Sequence, residues 1–166
     1  MLMIYSMSDG VKVAEEAAAK ITAWLVSKPE TIGVRNVEQD SQFQTQDIDL
    51  IWTTQQGTNS IEIKGDRRHQ TGNFFFETHS NFEKGTPGCF MYTEANWLFY
   101  YFVTPRTLYM LPMPATREWF QKNIDYFQER STTTSIKGGG YYTTKGRIVP
   151  IECVLQKVLG VVKEQL

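Results

Sequence analysis

Two acidic residues and a lysine stand out for the chemistry their spacing allows. Asp49 lies in 47-DIDLIWTT-54, and Glu62 and Lys64 lie in 61-IEIK-64, giving the pattern D-x12-E-x-K. Alternate residues of a strand share a face, so Ile61 and Ile63 point one way and Glu62 and Lys64 the other. The turn 55-QQGTNS-60 joins the two stretches as a hairpin, in which Asp49 and Glu62 can come opposite each other. Two carboxylates a few ångströms apart repel, and burying them raises a pKa unless a cation is present. A hard divalent cation resolves the repulsion, taking one or two carboxylates plus water and phosphate oxygens. The expected ion is Mg²⁺, with Mn²⁺ as a substitute, held by Asp49, Glu62 and the backbone carbonyl of Ile63. Lys64 beside it can orient or help deprotonate a water and offset charge developing on a phosphate. These are the parts needed to hydrolyse a phosphodiester. Without the cation, the same residues are a solvated strand face with a weak ion pair.

Other polar residues gather around this pattern. Glu77 sits in an aromatic strand, where an unpaired buried carboxylate is costly; it is expected to pair with Lys64 or Arg67, or to face the cleft. Asp47 shares the face of Asp49 by alternation and reads as a strand-start residue, with an alternative ligand as the other reading. Arg67 and Arg68, with His69 beside them, can contact phosphates, as can Lys145 in a second basic group with Lys137 and Arg147. The run 138-GGG-140 lacks the spacing and setting of a phosphate-binding loop. His69 and His79 are too far apart for a simple zinc motif.

The elements that must position these residues follow from periodicity. A helix is expected over residues 11–27, capped by Ser8 or Asp9, with Val13, Ala17, Ile21 and Trp24 as its core stripe. Residues 34–44 read as extended, 47–54 and 61–64 as the hairpin strands, 65–73 as a loop and 74–80 as a further strand. Strands follow at 97–103 and 107–112, then a helix over 115–130. The Gly- and Thr-rich run 131–147 reads as a long loop or flap able to reach along a DNA backbone. A strand at 148–151 and a C-terminal helix through residue 162 complete the chain. The fold class expected is α/β: a mixed central sheet flanked by helices, in one domain over residues 1–166.

Composition removes several function classes. A net charge of −1 leaves no global basic field, and no stretch reaches the roughly 18 apolar residues of a membrane span. Cys89 and Cys153 are isolated and lack metal-ligand spacing, so a disulfide scaffold is not expected. The N-terminus has no basic flank and too short an apolar run for a leader. The chain reads as soluble and cytoplasmic. Aromatics make up 13% of it, and those of residues 97–103 read as core.

The stretches 48-IDLIW-52 and 61-IEIKGD-66 resemble the acidic and E-x-K motifs of the PD-(D/E)XK nucleases. That superfamily includes many restriction endonucleases, archaeal Holliday-junction resolvases and phage exonucleases. No proline precedes Asp49, a position at which the superfamily tolerates many residues. The likeness covers roughly residues 11–80, an αβββ core, with the strands and helices of 88–166 added to it. The stretches 71-TGNFFFETHSN-81 and 88-GCFMYTEANWLFYYF-102 look similar to small phage and bacterial proteins of this type. The resemblance implies a restriction-endonuclease-like fold and a Mg²⁺-dependent endonuclease acting on DNA, with Asp49, Glu62 and Lys64 catalytic. It also implies a role for a helix acid: Glu16 assisting the metal through water, with Glu15 competing. The alternative is an inactive nuclease-fold protein that binds nucleic acid or assembles with a partner. Cutting both strands with one small site is easiest in a two-fold dimer. A homodimer is therefore expected, using apolar surface from residues 97–109 and the helix bearing Trp119, Phe120 and Phe127.

Overall fold

The computed structural model describes residues 7–166; residues 1–6, on which the reading of the leader falls, lie outside them. Helix α1 (Met7–Ser27) is followed by three strands, β1 (Thr31–Asn36), β2 (Leu50–Thr54) and β3 (Gly57–Asp66), with the short helix α2 (Ser41–Gln44) between the first two. β1 pairs antiparallel with β2, and β2 with β3, in a register that sets Leu50 against Ile61. The chain then crosses through β4 (Asn73–Asn81), β5 (Thr86–Pro87) and helix α3 (Cys89–Tyr92). It returns in β6 (Trp97–Phe102), which runs parallel to β3. Strand β7 (Thr107–Pro112), helix α4 (Ala115–Asn123), strands β8 (Gln128–Ser135) and β9 (Tyr141–Pro150), helix α5 (Ile151–Lys157) and strand β10 (Val162–Gln165) follow. The fold is mixed α/β, with two sheets rather than one: a six-stranded sheet ordered β1-β2-β3-β6-β7-β10, and a four-stranded antiparallel sheet ordered β5-β4-β9-β8.

One face of the large sheet receives α1. Ala17 and Ile21 of the expected stripe are fully buried, with Leu25 beside them, against Leu50, Ile61, Phe99 and Tyr101, while Val13 and Trp24 are only half-buried. Gly65 lets the helix approach, because a Cβ there would lie 2.9 Å from the carbonyl oxygen of Val13. The other face meets the small sheet through an aromatic interior. Phe74, Phe76 and Val149 pack with Leu98, Tyr100, Phe102 and Leu111, and with Phe90, Phe120 and Phe127. The aromatic segments expected at a dimer surface therefore lie largely inside the chain, with Leu98 to Phe102, Phe120 and Phe127 all buried.

Several expectations need correction. Ser8 and Asp9 lie within the first turn of α1 rather than capping it. The stretch 34–44 is strand only to Asn36, and then turns into α2, which Asp40 caps through the amide of Gln42. β2 begins at Leu50, leaving Asp47 in a turn with φ of 54°. The helix expected over 115–130 stops at Asn123, and the supposed flap is the β8–β9 hairpin. The glycines at its tip all have positive φ, and its threonines suit half-exposed strand positions. The C-terminal helix ends at Lys157, and β10 then pairs with β7.

Candidate metal centre

The register that opposes Leu50 and Ile61 carries Asp49 to the level of Glu62. Asp49 donates its backbone N–H to the carbonyl of Ile61 at 2.9 Å, and its Oδ2 accepts the backbone N–H of Ile63 at 2.8 Å. The amide of Ile63, at least, is thus tied to the acidic residue. Glu62 and Lys64 point away from α1, as alternation requires, while Ile61 and Ile63 pack toward it. Lys64 donates to Glu77 Oε1 on β4 in a close ion pair.

A further carboxylate arrives from outside the strands. The turn bearing Asp47 is held by the end of α3 and the residue after it: Thr93 Oγ1 donates to its carbonyl at 2.7 Å, and Tyr92 Oη to its Oδ1 at 3.2 Å. Cys89 begins α3, directly after Gly88, whose N–H donates to the carbonyl of Thr78 on β4. Ligand atoms of Asp47, Glu62 and Cys89 all lie within 4.8 Å of one another. Asp47 Oδ2 and Glu62 Oε2 are buried without a hydrogen-bond partner among the described residues. Glu62 itself is only 7% exposed. Buried carboxylate oxygens facing one another are what a divalent cation satisfies.

The electrostatics report the same conflict. Burial, and then the charges of Asp49 and Asp47, push the Glu62 carboxyl up to about 11. Burial likewise lifts Asp47 to about 6, against the hydrogen bond from Tyr92 and with help from Asp49 and Glu77. Asp49 is raised by burial, opposed by the Ile63 amide, and burial raises the Cys89 thiol. Burial works against the Lys64 ammonium, but Glu77 and its other anionic neighbours outweigh it, and the lysine pKa rises. Lys64 therefore remains a cation at neutral pH and is a donor rather than a base.

The remaining expected residues divide. Arg67 and Arg68 follow β3 and line a cleft of about 410 Å³ together with Glu62, Lys64, Cys89 and Thr132 of β8. Glu77 reaches the site through Lys64. Glu16 is exposed on α1, where its charge adds to burial in raising the Tyr101 hydroxyl; Glu15 is the helix acid that shares a groove with Asp49. Lys145 is engaged elsewhere, 3.7 Å from Glu129 and above the Phe82 ring, and is not among the cleft-lining residues. His79 stacks edge-on against Phe82. Cys89 was not readable as part of the site, because the crossover between β3 and β6 brings it there and no local spacing announces it. Asp47 was readable as an alternative ligand, but a turn rather than strand alternation places it. No protein-family model matches the chain, and neither does any curated protein or solved structure.

Proposed function

We propose that the protein is a Mg²⁺-dependent nuclease that hydrolyses DNA phosphodiester bonds at this acidic centre. The observation that carries the reading is the approach of ligand atoms of Asp47 and Glu62 to within 4.8 Å, with the charge of Asp49 bearing on both and two buried oxygens lacking a partner among the described residues, beside a lysine held as a cation. The order α1-β1-β2-β3, interrupted by the four-residue helix α2, is close to the αβββ order of the PD-(D/E)XK core, which supports a restriction-endonuclease-like fold. The carboxylates of Asp47, Asp49 and Glu62 would hold the cation, their oxygens suiting Mg²⁺ or Mn²⁺. When bound, the cation lowers the pKa of water and polarises a phosphoryl group.

The chain's own residues supply the rest. The Ile63 amide fixes the orientation of Asp49. Glu77 positions the Lys64 ammonium, which offsets charge developing on the phosphate. Arg67 and Arg68, at the mouth of the cleft, hold the strand by its phosphates. The test is incubation of the pure protein with plasmid, linear, single-stranded and four-way-junction DNA in Mg²⁺, Mn²⁺ or a chelator. Cleavage is expected only with a cation. In Asp49→Asn it is expected to fall by more than the about 10–100-fold typical of losing a ligand's supporting partner. A folded protein that cuts none of the four with either cation overturns the reading, and binding without cleavage would favour a binding module instead.

A further inference from the structure

A second cavity adjoins the cleft, and its lining has the chemistry of a nucleotide rather than of a duplex. Its volume is about 280 Å³, near the lower limit of about 300 Å³ for small-molecule pockets. Phe75 and Ile148, paired across β4 and β9, form its apolar wall. The ring of Phe75 lies over Gly146, where a Cβ would come within 2.6 Å of its Cζ, so the glycine is what lets the ring lie on the sheet. Arg68 and Arg130 bring two positive charges to the lining against the single carboxylate of Asp66. Asp66 is already engaged: Oδ1 accepts the Arg68 backbone N–H at 2.7 Å, and Oδ2 the Tyr100 hydroxyl at 2.5 Å. It thereby anchors the backbone of Arg68. Asp66, Arg68 and Thr132 line this cavity and the Glu62–Lys64 cleft alike, so the two spaces are neighbours.

We propose that this cavity receives one unpaired nucleotide of the strand being cut, with its base against Phe75 and its phosphate toward Arg68 and Arg130. The inference rests on the nuclease reading and adds a substrate class to it. Bases within a duplex are stacked and paired, and only an unpaired or extruded base can enter such a pocket. The preferred substrate is then DNA with an unpaired nucleotide beside the scissile phosphate, over fully paired duplex.

Cleavage rates in Mg²⁺ on a duplex with a short single-stranded overhang, the same duplex blunt-ended, and the overhang carrying an abasic residue test this. The wild type should cut the overhang about tenfold faster than either of the others, the size of one base–aromatic stack. Phe75→Leu and Arg130→Gln, checked for folding by circular dichroism, should each lower that ratio. Arg130 is exposed on β8, so its variant carries the test if Phe75→Leu does not fold. Equal rates on all three DNAs, or an unchanged ratio in the folded variants, overturns the subsite and leaves the nuclease standing. Inhibition by a free deoxynucleoside monophosphate as strong as by a matching oligonucleotide also overturns it, by making the pocket a small-molecule site. Absence of cleavage on every substrate overturns both readings together.

Discussion

Phe76 and Glu77 are consecutive residues of β4, yet they serve regions with opposite energetics. Phe76 is 1% exposed, stacked on Phe90 at 4.0 Å and edge-on to Phe120 at 5.4 Å. Every group there gains from leaving water. Glu77 instead holds Lys64 at the border of a pit where carboxylates crowd and two buried oxygens go without partners. The aromatic interior is what folding stability would select, whereas the pit opposes it. Local conflict of this kind, surrounded by consistent packing, is where a site is expected.

Mutations should split the two regions by sign. Phe76→Ala should destabilise the protein by about 3–5 kcal/mol, because the stacked rings around it cannot collapse fully into the space left. Glu62→Gln should do the reverse without added metal, raising stability by about 1–2 kcal/mol as a repelled, buried carboxyl is replaced by a neutral group of the same shape. Denaturant unfolding in chelator measures both. A loss of stability in Glu62→Gln comparable to that of Phe76→Ala would erase the distinction.

The pH dependence should sharpen the same contrast. Glu62 moves from an ordinary 4.5 to about 11 on folding, and Asp47 from 3.8 to about 6. The folded chain thus keeps protons that the unfolded chain has released. That contribution is fully present below about pH 4 and is lost as pH rises toward the folded values. Metal-free wild type should therefore lose stability between pH 5 and pH 8 more steeply than Glu62→Gln, whereas Phe76→Ala should keep the wild-type slope. Parallel wild-type and Glu62→Gln profiles would show that Glu62 is not the group responsible.

Much of this was legible in the chain, and unevenly. Period-3.6 apolar residues in α1 and period-2 alternation around Glu62 are strong signals because each turns apolar residues to a shared core, in which Ala17, Ile21, Leu25 and Ile61 are fully buried. The hairpin spacing then aligned Asp49 with Glu62. The β8–β9 hairpin was hidden because its strands present Thr132 to Thr134 and Thr143 to Lys145 at half-exposed positions, leaving no clean apolar alternation. Its turn glycines then made it resemble a flap. Glu77 was expected to pair with Lys64 or Arg67, and it pairs with Lys64; Cys89 instead depends on how the small sheet folds back over β3, a contact of tertiary structure that no window of sequence displays.

The most direct measurement is the shift in thermal midpoint on adding Mg²⁺ to wild type and to Glu62→Gln. If Asp47, Asp49 and Glu62 hold a cation, saturating Mg²⁺ stabilises the wild type by mass action. Each kcal/mol should raise its midpoint by about 2–4 °C, while Glu62→Gln, already relieved of the repulsion, should respond little. Equal responses in the two proteins, or none in the wild type, would contradict a metal centre built on Glu62.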